Sequence, residues 1–454
     1  MLERKITNYL NEWKNNPKKV PLLIKGLRQV GKTSIVKEFA KNNYENAFLL
    51  DFRKQSSIHA IFDGDFIIDD IALAISALPK ENHIIKDSKM VPYKTLLVFD
   101  ELQDCPNARS SLKYFKEDGR YDVICTGSLL GIKGYRVSKT PSRGIAVGFE
   151  EQIEMYPMDF EEFLWALKID KAIIDNLKNC IEEKKEFSPF LHERFLDLIR
   201  KYICVGGMPE VVNKFIESND LREVRKIQNR LIKDYKSDFG THLNDDKKII
   251  VDELEKTKIM DAFDSIPKQL AKDNKKFQYS VIDKKAKART HEEAIKWLKN
   301  YGLIDICYNL STIDEPFDFF SIRDQFKVYV SDIGLLVAML DFEVPFKILS
   351  NDLAIGKGMI YENLVAETLH KLGRPLYYFS KDSGLEIDFV SNLYSVPYLI
   401  EVKTKNGNTK SAKTVLANPN YKVDNLLKLT AQNIGFIDNK LTVPYYSAFY
   451  VLSK

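Results

Sequence analysis

The sequence predicts an α/β protein that begins with a parallel β-sheet carrying helices on both of its faces. Uninterrupted apolar runs are typical of strands that are buried on both faces of such a sheet. Their alternation with helical segments indicates strand–helix–strand units, in which neighbouring strands run parallel. The apolar runs lie at residues 20–24, 47–52, 94–100, 122–126 and 152–156, and the helical segments between them lie at residues 34–40, 67–78 and 108–115.

A glycine-bounded loop follows the first apolar run and leads into the first helix. Residues 26–33 read GLRQVGKT, which has the spacing of a phosphate-binding loop. The glycines permit backbone angles that turn successive N–H groups toward a phosphate, and the helix adds the positive end of its dipole. We expect Lys32 to reach the outer phosphates and the Thr33 hydroxyl to bind Mg²⁺. The residues predicted to bind ATP are Gly26, Arg28, Gln29, Val30, Gly31, Lys32, Thr33 and Ser34.

The third apolar run ends in two carboxylates, Asp100 and Glu101. Ligands of parallel sheets bind at the carboxyl ends of the strands, so Asp100 is expected to hold Mg²⁺ or its waters. Glu101 is expected to polarise the attacking water, which favours hydrolysis over nucleotide binding alone. The alternative is an acidic cap on a surface strand.

The next strand ends in hydroxyl side chains, Thr126 and Ser128. One of them is predicted to sense the γ-phosphate or to orient the attacking water, because it follows the first two motifs in the expected order. The alternative is an ordinary helix cap, since Ser and Thr are common at such positions.

Composition limits the class of protein. The chain has 454 residues, enough for about three domains. Its formal net charge of +4 neither demands nor excludes nucleic acid. Five widely spaced cysteines without a CxxC pair are typical of reduced thiols in the cytoplasm. No apolar stretch approaches the roughly 18 residues that span a bilayer, and the N-terminus lacks an apolar signal core, so we expect a cytoplasmic protein that makes no membrane contact.

The pattern is helical from residue 159 to residue 239 and predicts a lid beside the nucleotide site, interrupted by a Gly-Gly-Met-Pro joint at residues 206–209. Beyond it, helices followed by a hairpin predict a winged helix-turn-helix. Thr290 and Glu293 fit a capping box at the start of one of these helices. Residues 271–300 contain nine Lys or Arg and four Asp or Glu, a balance that suits contact with phosphates. The alternative is a protein-packing domain with a solvated basic face.

The last part of the chain has a new α/β pattern with two adjacent strands. One strand carries Asp388, and the other carries Glu401 and Lys403, which face the same side because they lie two residues apart. A hairpin would bring Asp388 beside Glu401. Two carboxylates that bind Mg²⁺ and a lysine that activates water form the D…ExK arrangement of restriction-type nucleases, and Glu362 on the preceding helix is predicted to be a further metal ligand. A nuclease-like fold without the chemistry is the alternative.

Taken together, the motifs resemble those of prokaryotic AAA-type ATPases of the ASCE class that carry a C-terminal domain of unknown function with a restriction-endonuclease-like fold. The motifs lie at residues 3–5, 26–33, 100–103, 126–131, 155–164, 206–210, 331–336 and 386–390. The resemblance implies ATP binding and hydrolysis, and it leaves an arginine finger unassigned, with Arg136 and Arg143 as nearby candidates. The predicted domains are an AAA-type P-loop ATPase core at 1–157, a helical lid at 158–244, a winged helix-turn-helix at 245–344 and a PD-(D/E)xK nuclease-like domain at 345–454.

Three functions stay open at this point. The first is a Mg²⁺-dependent ATPase that couples hydrolysis to a tail directed at nucleic acid or at another partner. The second is a nucleotide switch that binds proteins through a catalytically silent nuclease-like domain, and the third is an ATP-regulated DNA nuclease. The predicted partners are ATP, DNA bound by the winged helix and the C-terminal domain, and further copies of the chain, because hydrolysis in this class commonly uses an arginine from a neighbour.

Overall fold

The first part of the chain folds around a five-stranded parallel sheet. This computed structural model describes residues 2–129, 148–243, 249–272, 275–284, 286–352, 356–404 and 409–454, and for 241–243 and 249–251 it describes the backbone alone. The strands are β1 (Leu22–Gly26), β2 (Asn46–Asp51), β3 (Thr95–Asp100), β4 (Asp122–Ser128) and β5 (Glu151–Glu154), in the order β2-β3-β4-β1-β5. The helices are α1 (Ile6–Asn15), α2 (Lys32–Asn43), α3 (Ile68–Ser76) and α4 (Pro106–Asp118).

Both faces of this sheet are buried. Along β3, Leu96 and Val98 enter one apolar core, whereas Leu97 and Phe99 enter a second core on the opposite face. The side chains alternate between the two cores because successive residues of a strand point to opposite faces. The predicted parallel sheet with helices on both faces is confirmed.

Helices follow the sheet, as the sequence predicts. They are α5 (Phe160–Ala166), α6 (Lys171–Glu182), α7 (Pro189–Val205), α8 (Pro209–Ser218) and α9 (Leu221–Asp238). Two short strands, β6 (Thr241–Leu243) and β7 (Ile249–Val251), then pair antiparallel. The next helices are α10 (Glu253–Leu270), α11 (Tyr279–Ile282) and α12 (Ala288–Tyr301).

The predicted capping box in α12 is wrong. The helix begins at Ala288 with Lys287 as its N-cap residue, so Thr290 lies inside the first turn. The Thr290 hydroxyl instead accepts a hydrogen bond from the backbone N–H of Lys287 at 3.2 Å. The hydroxyl of the third residue of a helix can reach back to the N-cap residue, and a sequence pattern does not separate this case from a true N-cap.

The C-terminal part is built on a mixed sheet of eight strands. The strands are β8 (Ile304–Leu310), β9 (Ser321–Val330), β10 (Tyr377–Ser380), β11 (Glu386–Leu393), β12 (Val396–Val402), β13 (Asn425–Thr430), β14 (Gly435–Ile437) and β15 (Lys440–Pro444), in the order β14-β15-β13-β12-β11-β10-β8-β9. The remaining helices are α13 (Ile333–Ala338), α14 (Val344–Leu349), α15 (Lys357–Lys371), α16 (Lys410–Leu416) and α17 (Ala448–Val451).

The hairpin that was predicted to be the wing is part of this sheet. Strands β8 and β9 pair antiparallel, and β8 also pairs in parallel with β10. The sheet therefore runs across the domain boundary that the sequence predicts between residues 344 and 345. The free edge of an exposed hairpin offers unpaired N–H and C=O groups, and β10 satisfies them here. The winged helix remains a prediction.

The glycine pair after α7 joins three parts of the chain. The backbone of Gly207 accepts a hydrogen bond from the N–H of Met158 at 2.7 Å and donates one to the carboxylate of Asp332 at 2.6 Å. The other oxygen of Asp332 caps α13 by accepting from the N–H of Leu335 at 3.0 Å. The Gly-Gly-Met-Pro joint therefore packs against the segment that precedes α13.

Replacing Gly207 with alanine is expected to lower the free energy of unfolding by about 3 kcal/mol. An added Cβ would lie 2.0 Å from the carbonyl oxygen of Met158, which is backbone and cannot move aside. Thermal unfolding of the full chain would show a lower midpoint. Gly358→Ala is the control, because a Cβ there meets nothing within 4 Å; equal midpoints for the two variants would contradict the prediction.

Among the described residues, every helix is too short or too polar to cross a lipid bilayer.

Candidate functional site

A cavity of about 660 Å³ lies between the phosphate-binding loop and the helices α8 and α9. The loop side is formed by Arg28, Gln29, Gly31, Lys32, Thr33 and Ser34, which are six of the eight residues predicted to bind ATP. Glu101 lines the same cavity from the end of β3, and Tyr235 and Asp238 line it from α9. Gly26 and Val30, the other two predicted residues, belong to the same loop but do not line the cavity.

Backbone conformation shapes the loop as the motif requires. Gly31 is the N-cap residue of α2 and has a φ of +93°. Glycine adopts this left-handed conformation without steric cost, because it has no Cβ. Gln29 also has a positive φ, of +66°, which is uncommon for a residue with a side chain and is typical of functional loops. On the far side of the loop, the buried Arg4 donates to the carbonyl of Val30 at 3.0 Å. The N-terminal segment therefore holds the loop in place.

Lys32 is buried at the base of the loop. Its Nζ donates to the carbonyl oxygens of Gly26 at 3.0 Å and Leu27 at 2.9 Å. Burial disfavours the charged ammonium and lowers the pKa of Lys32 to about 8. An anionic phosphate would offset this loss of hydration, so the environment of Lys32 fits a polyanionic ligand.

Asp100 joins two of the predicted hydroxyl groups. Its Oδ1 accepts a hydrogen bond from the Thr33 hydroxyl at 2.8 Å and another from the Thr126 hydroxyl. Burial raises the pKa of Asp100, and both hydroxyl contacts oppose that rise. The carboxylate and the Thr33 hydroxyl are oxygen ligands of the kind that Mg²⁺ prefers, so the pair fits a magnesium site. Thr126 lies against the carboxylate of Asp100, and Ser128 lies beside the loop, opposite Gly26 in the β1–β4 register.

Glu101 lines the cavity in a strained backbone conformation, with φ of +55°. Its Oε2 forms an ion pair with Arg53 at 3.0 Å and accepts a hydrogen bond from Gln103. Arg53 follows β2 and is also paired with Asp104 at 2.9 Å. Arg53 is not predictable from the sequence, because no local spacing links it to Glu101, which lies 48 positions further along the chain.

Arg136 and Arg143, the candidates for an arginine finger, lie outside the described residues.

The predicted residues of the C-terminal cluster also converge. The Nζ of Lys403 lies 3.0 Å from a carboxylate oxygen of Asp388 and contacts Glu401. Strands β11 and β12 form the expected hairpin, in which the backbone N–H of Val402 donates to Asp388 at 2.8 Å. Burial, followed by the negative charge of Asp388, raises the pKa of Glu401 to about 8. Both carboxylates contact the Nζ of Lys403.

Glu362 reaches this cluster from α15 and is occupied by an unexpected partner. Its Oε1 is paired with Lys275, from the segment between α10 and α11. The Tyr329 hydroxyl lies 3.4 Å from the other oxygen of Glu362. Lys327, only 1% exposed, contributes a third lysine through an ion pair with Glu386 at 2.7 Å.

Lysines neutralise the carboxylates of this cluster, Lys403 at Asp388 and Glu401 and Lys275 at Glu362. Within the described ranges, no group of three or more His, Cys, Asp or Glu side chains is arranged to hold a metal ion. Neither Lys275 nor Lys327 was predicted as a member of this cluster, although Lys275 is one of the nine positive charges between residues 271 and 300.

Comparison with family models divides the chain into three matched regions. Residues 18–164 match the AAA domain, and residues 196–345 match a domain of unknown function (DUF8612). Residues 357–447 match another domain of unknown function (DUF4143). No curated protein matches the chain in sequence.

Several solved structures are similar to this chain at low sequence identity. A Walker-type ATPase of Pyrococcus abyssi is 14% identical over 75% of this chain and 96% of that one, with a TM-score of 0.41. The ORC2 protein of Aeropyrum pernix, in its ADPNP–ADP complexes, is 14% identical over 76% and 91%, with a TM-score of 0.36. The RuvB Holliday junction branch migration motor of Thermotoga maritima is 13% identical over 67% and 89%, with a TM-score of 0.26.

Proposed function

We propose that this chain, which carries an AAA-type ATPase domain at residues 18–164 and a C-terminal domain of unknown function, is a Mg²⁺-dependent ATPase that directs the energy of hydrolysis to its C-terminal half. The observation that carries the proposal is the meeting of Lys32, Thr33 and Glu101 at one cavity of about 660 Å³, with Asp100 hydrogen-bonded to Thr33. If the loop motif matched by chance, the Asp100-Glu101 motif would not be expected at the same cavity. ATP hydrolysis by the purified chain, with release of phosphate, is the direct test.

The residues divide the chemistry among them. The loop N–H groups and Lys32 bind the phosphates, and Lys32 offsets the charge that develops on them. Mg²⁺ held by Thr33 and Asp100 would supply further positive charge at the phosphates. Glu101 accepts a proton from water as the water oxygen bonds to the γ-phosphorus. The bond from that phosphorus to the bridging oxygen breaks, and ADP leaves with the electron pair.

Glu101 must leave Arg53 to accept that proton. The guanidinium, at 3.0 Å, occupies the carboxylate oxygen Oε2 of Glu101, so the contact favours a resting state. Both side chains remain partly exposed, which keeps the pair weak enough to separate. Arg53→Ala provides a separate test of this resting state through its basal hydrolysis rate.

DNA remains our proposed partner for the middle of the chain. The basic residues of α12 support it only in part, because Lys296 is already paired with Glu292 at 2.8 Å and Glu293 at 3.1 Å. Binding to duplex and single-stranded DNA at several salt concentrations, measured together with ATP turnover, tests it. If DNA neither binds at moderate salt nor changes turnover, a protein partner and the nucleotide-switch function are favoured instead.

A second candidate function is a nuclease-like activity of the tail. The convergence of Asp388, Glu401 and Lys403 on one point favours it. The lysines beside each carboxylate favour the alternative, a silent domain that uses the same fold for docking. Metal binding separates the two, because cleavage of a phosphodiester by such a cluster requires a divalent cation.

Asp388→Asn is expected to weaken Mn²⁺ binding to the C-terminal cluster by roughly tenfold or more. The amide keeps the shape of the side chain but removes the charge beside Glu401 and Lys403. Calorimetric titration of the full chain with Mn²⁺ in the absence of nucleotide measures this affinity. The full chain is required, because β8 and β9 belong to the sheet.

Asp382→Asn is the control for this titration, since Asp382 is an exposed residue of the loop before β11. Equal Mn²⁺ affinities for the two variants and the unmodified chain would contradict a metal site at Asp388. That outcome would favour the silent domain.

We also place the protein in the cytoplasm and expect homo-oligomers. All five cysteines are free, and four of them are buried, as expected in a reducing compartment. Light scattering with and without nucleotide tests the assembly.

A further inference from the structure

We propose that Arg28 senses bound nucleotide by exchanging Asp238 for a phosphate, and that Asp238 and Tyr301 carry this exchange to helix α12. The inference rests on the proposed function, because it assigns a regulatory role to a residue of the ATP site. It adds a route by which the nucleotide state reaches the basic middle of the chain.

One carboxylate oxygen connects the loop with α12. The Oδ2 of Asp238, at the end of α9, is paired with Nη1 of Arg28 and also accepts a hydrogen bond from the Tyr301 hydroxyl at 2.7 Å. The Tyr235 hydroxyl, one turn earlier on α9, donates to the carbonyl of Arg28 at 3.0 Å. The loop, α9 and α12 therefore meet at the carboxylate of Asp238.

Arg28 is placed to lose its partner to a phosphate. Both Arg28 and Asp238 line the nucleotide cavity, with side chains 24% and 30% exposed. Within the part of the chain that the structure describes, the buried Nε–H of Arg28 has no hydrogen-bond partner. A guanidinium presents a fork of N–H donors that fits phosphate oxygens bidentately, and phosphate carries more charge than one carboxylate. Nucleotide in this cavity would therefore compete with Asp238 for Arg28.

The end of α12 is fixed against the loop. Tyr301 stacks on Trp297 of the same helix, with ring centroids 4.9 Å apart and planes 17° from parallel. A Cβ added to the next residue, Gly302, would lie 2.6 Å from Leu129 and 3.7 Å from the Cβ of Leu27. The close approach couples any rearrangement of the loop at Leu27 and Arg28 to α12.

The coupling works in both directions. Release of Asp238 from Arg28 changes the hydrogen bond between Asp238 and Tyr301. Conversely, a partner that moves α12 changes the ion pair between Asp238 and Arg28. Thermodynamic linkage then requires that nucleotide and partner alter each other's affinity by the same factor, which is commonly about 5- to 150-fold.

Two readouts test the relay in the full chain. The first is the affinity for ADP and for a non-hydrolysable ATP analogue. Asp238→Asn is expected to tighten nucleotide binding by about fivefold or more, because Arg28 no longer has to leave a charged partner. Asp264→Asn is the matched control: it removes one carboxylate that pairs with Lys236 on α9 at 2.6 Å, outside the cavity.

The second readout is the fluorescence of Trp297 in a chain that also carries Trp13→Phe and Trp165→Phe. Nucleotide should shift the Trp297 emission, and both Asp238→Asn and the milder Tyr301→Phe should abolish that shift. Tyr301→Phe removes one hydroxyl and keeps the ring stacked on Trp297, so it remains informative if Asp238→Asn folds poorly.

The outcomes separate the relay from the proposed function. If neither the unmodified chain nor any variant binds nucleotide, the ATP site itself is wrong. If the unmodified chain binds nucleotide but Asp238→Asn and Asp264→Asn have equal affinities, or if Trp297 does not respond, the relay is wrong and the ATP site stands.

Discussion

Replacing Glu101 with glutamine should reduce ATP turnover by about 100-fold or more while ATP affinity stays within about threefold of the unmodified chain. The amide has nearly the same shape as the carboxylate, but it cannot accept a proton from the attacking water. In the proposed site the loop and Lys32 bind the phosphates, and Thr33 and Asp100 would hold Mg²⁺, so the ground-state contacts remain. Steady-state phosphate release and equilibrium binding of ATP measure the two quantities separately.

The contact between Glu101 and Arg53 calls for a control. Glu101→Gln also weakens that ion pair, which could change turnover by moving Arg53. Asp104→Asn removes the other carboxylate that holds Arg53, at 2.9 Å, and leaves Glu101 intact. Turnover of Asp104→Asn should stay within about threefold of the unmodified chain. Equal losses of affinity and turnover in Glu101→Gln would make Glu101 a structural or metal-binding residue.

The parts of the structure that the sequence predicted correctly are those encoded by contiguous patterns. The loop at residues 26–33 combines a strand, special backbone angles and a helix start within one short segment, so its fold follows from local physics. The hairpin that brings Asp388 to Glu401 is also local, because a short connection forces neighbouring strands to pair. Strand periodicity then orients Glu401 and Lys403 together.

The missed features depend on residues that are distant in sequence. Lys275 lies 87 positions before Glu362, its partner, and Asp238 lies 210 positions after Arg28. No periodicity links such pairs, because each is set by how separate elements pack. The pairing of β8 with β10 is of the same kind. The sequence of a hairpin does not show whether the edge of the hairpin is free or is paired with another strand. Sequence patterns therefore predicted the contiguous loop and hairpin, and they missed the contacts between elements that are distant in sequence.

Replacing Lys32 with alanine is expected to weaken ATP binding or turnover by about 100-fold or more. Lys32 is the buried cation at the base of the loop, and Gly26 and Leu27 offer only carbonyl oxygens there. Without the ammonium, those oxygens would face the phosphates uncompensated, so the change removes an attraction and leaves a repulsion. Equilibrium binding of ATP and phosphate release by the purified variant measure the loss.

Lys41→Ala is the control for this variant, because Lys41 is an exposed lysine at the far end of the same helix. Both variants remove one positive charge from α2, so a general electrostatic effect would weaken ATP binding equally in the two variants. Burial lowers the pKa of Lys32 to about 8, and bound phosphate would raise that pKa again by favouring the charged amine. ATP binding by the unmodified chain should therefore be coupled to proton uptake near pH 8, and Lys32→Ala should lose that uptake together with its affinity. Unchanged hydrolysis in purified Lys32→Ala would rule out the phosphate-binding role of residues 26–33, whatever the family match.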